Sequence, residues 1–300
     1  MKTRVYRLCL FLPLLASALA GCSDHYAEVS AEIDFDDVLD YALRSQAAYD
    51  SAEVIRNTYP RTIYIGQPEG TDVLYFVENR RWRRRQIVTI RGTDNVENIF
   101  EDLAYLRAED STLGIPVHRG FDRVAQLILT DLKPHLKRNH VIHVTGHSLG
   151  AAVSTLLMMY LDKEGYRVGS SVNFGQPKLT NGDGADAFAH LPLLRIVDGN
   201  DLVPTLPTST PLDSIGGLYT HLGSEVTLLD GAYFAYLDQE EARSSSRGNF
   251  WKNLGEESAK AHEMANYVAR IQAKREKSEQ VPFEHREQYL ETHSGTDTEH

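Results

Sequence analysis

Cysteine is almost absent from this chain of 300 residues, which has only Cys9 and Cys22. Because both fall within the first 22 residues, the remainder can form neither an internal disulfide nor a zinc site with cysteine ligands. Hydrophobic residues make up 42% of the chain, too few for a polytopic membrane protein. No internal repeat of the length that builds solenoids or propellers is present. The sequence therefore indicates a globular protein with one large α/β domain or two small ones.

Positive charge is also scarce. The chain has 31 Lys and Arg against 42 Asp and Glu, a formal net charge of −11. The first 21 residues contain three basic residues and no acid, so the charge without them is 28 − 42 = −14. Such a surface repels nucleic acid, and no nucleic-acid partner is expected. One basic run, residues 80–85 (Arg-Arg-Trp-Arg-Arg-Arg), departs from this pattern. It is interpreted as a solvated hairpin tip or as a contact with anionic lipid headgroups.

The N-terminus has the organisation of a signal peptide. A basic start precedes a short apolar run, Leu8–Ala18, which is too short to remain as a membrane span. The run leads into Leu19-Ala20-Gly21-Cys22, which resembles the lipobox of bacterial lipoproteins. This resemblance implies cleavage after residue 21, acylation of Cys22 and attachment to a membrane of the cell envelope. Ser23 follows, where aspartate would favour the inner membrane, so the outer membrane is expected. The alternative is an ordinary secretory signal, in which Cys22 has no special role.

Hydrophobic periodicity divides the rest of the chain into a tether (22–34), one domain (35–275) and a polar, mobile tail (276–300). Strand patterns alternate with helix patterns through the domain, which predicts a mainly parallel sheet with helices on both faces, an α/β fold. The predicted strands are Thr62–Ile65, Val73–Val77, Gln86–Ile90, Val141–Val144, Ser171–Phe174, Leu193–Val197 and Val226–Leu229. The predicted helices cover 35–49, 119–138, 151–161 and 256–275.

One motif carries nucleophilic chemistry. Gly146-His147-Ser148-Leu149-Gly150 follows an apolar strand and opens a helix of small and apolar residues. This context, more than the five residues alone, predicts a tight turn that exposes the Ser148 hydroxyl at the edge of the sheet. The glycines would remove side chains where strand and helix cross, and the N–H of Leu149 would donate to a developing oxyanion. His147 is interpreted as structural, pointing to the other side of the turn.

Several ordered motifs between about residues 86 and 268 together resemble the class 3 lipases, a family of fungal triacylglycerol lipases and plant phospholipases A1. They are Ile90-Arg91-Gly92-Thr93, Asn98, Asp102-Leu103, His118-Arg119-Gly120-Phe121, the Ser148 turn, Phe174-Gly175-Gln176-Pro177, Asn200-Asp201-Leu202-Val203-Pro204 and Tyr219-Thr220-His221-Leu222-Gly223. The resemblance implies the α/β-hydrolase fold. It also implies that Thr93 supplies the second oxyanion donor and that Asp201 is the acid of a catalytic triad, with Asp198 as the rival.

The base of such a triad follows the acid in the chain. Five histidines do so, and three of them, His285, His293 and His300, fall in the predicted tail. Of the other two, His262 lies in a segment that resembles the family's histidine-containing helix, whereas His221 lies in one that resembles a structural turn. His262 is therefore the predicted base and His221 the alternative.

These residues predict a serine ester hydrolase for acyl lipids that forms an acyl-enzyme and needs neither metal nor cofactor. A phospholipase A1, an esterase for small esters and a non-catalytic lipid-binding lipoprotein are the alternatives. Residues 94–113 are a candidate lid with an apolar patch that faces either lipid or core. The residue after Asn98 is Ile99, where family lids often have tryptophan. Oligomeric state is left open.

Overall fold

A computed structural model describes residues 33–93, 107–207, 217–244 and 256–290 of the chain. These residues all fall within one compact unit, Glu32–His300. The predicted signal peptide, Cys22 and most of the tether lie outside the described residues. So do Asn98 and Asp102 of the family motifs, residues 94–106 of the candidate lid, and His293 and His300.

The described residues form helices and strands in alternation, as the periodicity predicts. The helices are α1 (Phe35–Ala47), α2 (Ala52–Thr58), α3 (Arg119–Leu132), α4 (Leu149–Lys163), α5 (Gly182–Ala187), α6 (Gln239–Ser244), α7 (Glu256–His262) and α8 (Met264–Glu276). The strands are β1 (Thr62–Gly66), β2 (Tyr75–Arg80), β3 (Arg85–Ile90), β4 (Arg107–Asp110), β5 (Ile115–His118), β6 (Val141–His147), β7 (Arg167–Val168), β8 (Ser171–Phe174), β9 (Thr180–Asn181), β10 (Leu193–Asp198), β11 (Tyr219–Thr220), β12 (Ser224–Leu228), β13 (Tyr233–Leu237) and β14 (Glu279–Gln280). Within these ranges, no helix has the length and apolar character needed to cross a bilayer.

The central sheet has the strand order β1-β2-β3-β6-β8-β10-β12-β13-β14, with β7 paired to β6. Its middle strands β3, β6, β8, β10 and β12 are all parallel, and antiparallel pairs flank them. Alternate residues of β3 enter different cores: Ile87 packs with α1 and α8, whereas Val88 and Ile90 pack with α3 and α4. Helices thus cover both faces, and the predicted mainly parallel α/β fold is confirmed.

A second, four-stranded sheet was not predicted from the sequence. It has the order β11-β9-β5-β4, and it occupies residues expected to be loop. Strands β4 and β5 pair across a turn in which the Asp110 carboxylate accepts hydrogen bonds from the N–H groups of Thr112 and Leu113. Residues 107–113, the second part of the candidate lid, therefore belong to this sheet and its turn. Three of the four residues of β4 are charged, so the strand has no alternating hydrophobic pattern and the sequence does not predict it.

The predicted mobile tail is wrong for residues 279–290. Strand β14 pairs with β13, and Val281 is buried together with Leu229 and Ala235. A 3-10 helix, Phe283–Tyr289, follows and contains His285. The low apolar content of this segment predicts mobility. The few apolar side chains that it does have nevertheless hold it in place, because they pack against Leu229 and Ala235 at the edge of the sheet.

Two helical predictions also change. The expected single helix over 256–275 is interrupted at Glu263, whose extended backbone (φ −63°, ψ 134°) separates α7 from α8. His262 therefore ends a short helix. In addition, α6 (Gln239–Ser244) is a helix that the sequence does not predict, and the residues that follow it, 245–255, lie outside the described ranges.

A buried ion pair attaches α1 to the sheet. Arg44 and Glu78 are 2% and 3% exposed, and Arg44 Nε lies 2.5 Å from Glu78 Oε2. Arg44 also lies 2.6 Å from Asp40. A pair this deeply buried is costly to break, because one charge then remains in a medium that solvates it poorly.

We expect Arg44→Leu to lower the free energy of unfolding by about 3–5 kcal/mol, because it leaves the Glu78 carboxylate buried without its cation. The double variant Arg44→Leu/Glu78→Leu should lose much less, since neither charge remains. Urea unfolding followed by circular dichroism measures both. Equal losses in the two variants would show that lost packing, and not an isolated charge, is the cause.

Candidate active site

The turn between β6 and α4 holds Ser148 in a left-handed backbone conformation, with φ 57° and ψ −127°. This conformation strains any residue with a Cβ, so the surrounding structure must enforce it. Glycines on both sides of Ser148 allow β6 and α4 to cross closely. A Cβ on Gly146 would collide with the Gly150 carbonyl, and a Cβ on Gly150 would collide with the Ile90 carbonyl on β3. The spacing of glycines around Ser148 is therefore a packing requirement, as predicted.

Ser148 lies where the parallel strands end. Its N–H donates to the Phe174 carbonyl at the end of β8, at 2.9 Å. Its side chain is fully buried, and among the described residues its Oγ has no hydrogen-bond partner. Leu149 is the first residue of α4, where backbone N–H groups have no acceptor within the helix. The Leu149 N–H is therefore placed at the positive end of a 15-residue helix, beside the serine.

The end of β3 supplies the neighbouring backbone. A Cβ on Gly92 would lie 3.1 Å from Ser148 Cβ and would collide with the Tyr49 hydroxyl. Thr93, the next residue, is partly buried. Of the predicted oxyanion residues, Leu149 thus adjoins Ser148 in the chain, and Thr93 follows Gly92, whose backbone lies close to Ser148.

Asp201 and His262 form a buried pair. Asp201 lies just after β10, and its Oδ2 is 2.7 Å from His262 Nδ1. Since a carboxylate can only accept, the imidazole donates from Nδ1, which leaves Nε2 as its free acceptor. Both side chains are essentially inaccessible to water, and His262 Nε2 has no hydrogen-bond partner in the described part of the chain.

Three donors converge on the Asp201 carboxylate. Besides His262, the Tyr267 hydroxyl donates to Oδ2 at 2.6 Å and the Val203 N–H donates to Oδ1 at 2.9 Å. Burial acts to raise the pKa of Asp201, but the electrostatic interaction with His262 and these hydrogen bonds outweigh it, so the pKa lies below its usual value. The carboxylate therefore remains charged and able to orient the imidazole.

The rivals of Asp201 and His262 have other partners. Asp198 Oδ2 lies 2.6 Å from Arg270 Nε and accepts a hydrogen bond from Asn266. Burial raises the pKa of Asp198 to about 6 despite the charge of Arg270. His221 Nε2 donates to the Pro204 carbonyl at 2.7 Å, within the loop that follows Asp201. The structure thus pairs the two residues predicted from the sequence, Asp201 and His262.

The sequence predicts that His147 points away from the site, but in the structure it lies against His262. Its Nε2 donates to the His262 carbonyl at 2.8 Å, and the two imidazole rings lie 4.6 Å apart. Its Nδ1 accepts from the Tyr49 hydroxyl, which follows α1, at 2.8 Å. The break at Glu263 leaves the His262 carbonyl available for this bond. Burial, followed by the charge of His262, lowers the pKa of His147 to about 3, so it stays neutral.

Gly175 has a role that the sequence analysis did not assign. It has φ 56°, and a Cβ there would lie 2.9 Å from His262 Cε1 and 3.0 Å from Asp201 Oδ2. No side chain fits between the backbone and the histidine–aspartate pair. Its position directly after a strand and before Gln176-Pro177 marks it as a turn, but the sequence does not reveal what it approaches.

The three predicted residues thus meet at one segment of backbone, residues 174–175, which the Asp201 and His262 side chains and the Ser148 N–H approach. Asp201 and His262 are hydrogen-bonded, and both contact Gly175, which adjoins the carbonyl bound by Ser148. Ser148 Oγ and His262 Nε2 form no hydrogen bond with each other, and each lacks a partner within the described residues. Such bonds are often long without substrate. A hydroxyl, an imidazole acceptor and a buried carboxylate in this order can move a proton from serine to histidine.

Comparison with known proteins supports the resemblance seen in the sequence. Residues 87–210 match the profile of the family Lipase (class 3). This segment of the chain therefore resembles the class 3 lipases. The match covers Ser148 and Asp201, and it ends before His262. The predicted class 3 resemblance is thereby confirmed.

Two curated relatives match parts of the chain. The secreted mono- and diacylglycerol lipase 1 of Fusarium solani is 29% identical over 160 residues, 48% of this chain and 46% of that protein. Phospholipase A1-II 1 of Oryza sativa subsp. indica is 38% identical over 85 residues, 26% of this chain and 21% of that protein. The chain thus spans less than half the length of these relatives.

Among solved structures, the lipase from Rhizopus microsporus var. chinensis superposes with a TM-score of 0.56 at 24% identity. It covers 65% of this chain, and this chain covers 74% of it. At this identity the likeness shows a shared fold, the α/β-hydrolase fold of the fungal lipases.

Replacing Tyr267 with phenylalanine tests the hydrogen bond to Asp201. We expect kcat/KM for a p-nitrophenyl ester to fall about 10- to 100-fold, because a hydrogen bond to a charged group is lost. The fall should lie in kcat, and the pH profile of kcat should shift, since the charged state of the pair is stabilised less. Tyr236→Phe is the control, because its hydroxyl has no hydrogen bond among the described residues. An unchanged pH profile with only a lower melting temperature would mean that Tyr267 is merely structural.

His147 should make stability depend on pH. Its pKa is lowered in the folded state, so its contribution is complete above the unfolded pKa of about 6.5 and is lost as the pH falls towards about 3. The free energy of unfolding should thus decrease on acidification, by up to about 1.4 kcal/mol per pH unit from this residue. His147→Gln, which cannot titrate, should flatten the slope between pH 6.5 and 4 in urea titrations. An identical slope in both proteins would contradict burial of a neutral His147.

Proposed function

We propose that this chain is a serine carboxylic ester hydrolase that acts on acyl lipids through an acyl-enzyme. The observation that carries the proposal is the buried Asp201–His262 pair, 2.7 Å apart. This pairing leaves His262 Nε2 free, and the pair lies against Gly175, next to the Phe174 carbonyl that the Ser148 N–H binds. A strained, buried serine beside an oriented imidazole with a free acceptor is costly to maintain, and nucleophilic catalysis uses both features.

In the first half of the reaction, His262 Nε2 takes the Ser148 hydroxyl proton as Oγ attacks the ester carbonyl carbon. The carbonyl oxygen becomes negative, and the Leu149 and Thr93 N–H groups stabilise it. The carbon–oxygen bond to the alcohol then breaks, and the imidazolium returns its proton to the leaving alcohol. Asp201 stabilises the imidazolium throughout and accepts the Nδ1 hydrogen bond.

In the second half, a water molecule gives one proton to His262 Nε2 and attacks the acyl carbon. The bond to Ser148 Oγ breaks, His262 returns the proton to the serine, and the carboxylic acid leaves. His147 remains neutral at the operating pH because its pKa is about 3. It therefore cannot compete for the proton, and its bond to the His262 carbonyl holds the base in place.

Acyl glycerols are the proposed substrates, because the segment that holds Ser148 and Asp201 matches the class 3 lipases and the Fusarium solani relative is a mono- and diacylglycerol lipase. A phospholipase A1 activity is the second candidate, and the rice phospholipase A1-II relative supports it. The same chemistry would serve small soluble esters. A catalytically silent lipoprotein would have no need of a strained serine or an oriented imidazole.

We also propose that Cys22 is the acylated first residue of the mature protein and holds it in the bacterial cell envelope, at the outer membrane. The lipobox-like Leu19-Ala20-Gly21-Cys22 supports this. More than one acyl chain gives stable attachment where a single chain is marginal. Globomycin, an inhibitor of lipoprotein signal cleavage, should leave a larger precursor if the proposal is right, and the Cys22→Ser protein should not incorporate labelled palmitate.

The nucleophile is tested by Ser148→Ala, which should abolish both turnover and labelling by a fluorophosphonate probe while circular dichroism stays unchanged. Ser170→Ala, at an exposed serine, is the matched control and should keep both. His262→Gln should lower kcat by several orders of magnitude, with His190→Gln at an exposed histidine as its control. Labelling of the Ser148→Ala protein would rule out the assignment. Comparing diacylglycerol emulsions, phospholipid vesicles and short p-nitrophenyl esters would separate the substrate classes.

A further inference from the structure

Three basic segments meet at the edge of the central sheet opposite Ser148. They are the hairpin between β2 and β3, the loop before β6, and β7 with the turn before it. The Val141 N–H donates to the Arg84 carbonyl at 2.8 Å, and the Lys137 N–H donates to Gln86 at 2.7 Å. Arg138 donates to the Glu164 carbonyl at 2.6 Å, and Arg167 of β7 is in register with Val141. These contacts join the three segments into one continuous surface.

This surface, here called the basic edge, carries six exposed cations without an ion-pair partner among the described residues. They are Arg81, Arg83, Arg84, Lys137, Arg138 and Arg167. Two nearby acids already have other partners: Glu164 pairs with Lys133 at 2.5 Å, and Asp40 pairs with Arg44 and Arg80. On a chain of net charge −11, such a concentration of unpaired positive charge is local and specific.

Trp82 is the most exposed large hydrophobic residue among those described, and it lies on the basic edge. It lies in the 3-10 turn Arg81–Arg83 at the tip of the hairpin, and its side chain is 102% exposed. An isolated tryptophan in water forgoes the burial that its large ring would otherwise provide. Tryptophan between arginines is suited to the boundary of a bilayer, where the ring meets the acyl region and the cations meet the headgroups.

We propose that the basic edge docks on an anionic lipid surface, with Trp82 entering the headgroup layer. A flat membrane touches only the protruding tip and the loops beside it. Screening over roughly 8 Å at physiological salt then hides the acidic remainder of the protein. A long nucleic acid would follow the protein surface further and would meet its negative charge. An exposed tryptophan between arginines, on a chain whose net charge is negative, therefore favours a lipid surface over other polyanions.

Docking through the basic edge turns the active site away from the lipid surface. The basic edge lies at the start of β3 and β6, whereas Ser148 follows the end of β6. Seven residues of β6 separate the two by roughly 20 Å. A molecule docked through the basic edge thus keeps its catalytic rim away from the bound lipid surface, so docking and catalysis are separable properties.

Tryptophan fluorescence gives a direct test, because the chain has two tryptophans and Trp251→Phe leaves Trp82 alone. The full chain should also carry Cys22→Ser, so that no acyl group contributes. We expect vesicles of phosphatidylglycerol to shift Trp82 emission to the blue and vesicles of phosphatidylcholine to leave it unchanged. In the same background, Arg81→Gln/Arg83→Gln should weaken binding about 25-fold, since each basic residue near an anionic surface strengthens binding about fivefold.

The matched control is Arg119→Gln/Arg123→Gln, which also removes two exposed arginines, from the first turns of α3. It should bind phosphatidylglycerol vesicles like the parent. An equal loss in the control, equal binding to both lipids, or binding without a change in Trp82 emission would overturn the proposal. A comparable emission shift with duplex DNA would instead identify a general polyanion site. Ester hydrolysis in solution should be normal in the Arg81/Arg83 variant, so failure here is distinguishable from failure of the proposed function.

Discussion

The left-handed turn at Ser148 is the constraint on which the rest of the site depends. A side chain with φ 57° persists only where the strand before it and the helix after it are both fixed, and here β6 and α4 are among the most deeply buried elements. The crossing requires Gly146 and Gly150, because a Cβ on either would strike backbone. The same turn that strains the serine also begins α4, whose first N–H groups have no acceptor within the helix. Nucleophile and oxyanion donor therefore come from one local feature.

The other half of the site depends on contacts between distant segments. Asp201 follows β10, His262 ends α7, Tyr267 lies on α8, and His147 precedes the serine. Their hydrogen bonds form a continuous set, from the Tyr49 hydroxyl through His147 to the His262 backbone, and from the imidazole to the Asp201 carboxylate. Water is excluded from nearly all of it. In such an interior each polar group needs a partner. The His262 imidazole is therefore held in one orientation, and its Nε2 points in one direction.

The sheet gives the molecule two chemically different ends. At the carboxyl ends of the parallel strands, the Asp201–His262 pair is buried, and the described backbone makes close contacts around Gly92 and Gly175. At the opposite end, arginines and a tryptophan project into solvent from a tight hairpin. Because parallel strands all start at one edge and end at the other, loops with different roles are separated by the length of a strand without any additional domain.

The sequence by itself determined the layers of the fold and the identity of the main side chains. Apolar runs such as Val141–Val144 and the glycine spacing around Ser148 are local signals, and the local structure that they predict is present. Family resemblance added Asp201 and His262, which pattern alone left among rivals. Tertiary structure decided the rest: the break at Glu263, the second sheet, the packed residues 279–290, the contact of His147 with His262, and the close approach that makes Gly175 necessary. Those features depend on which distant segments meet in space, and a linear pattern of side chains does not encode the distance between them.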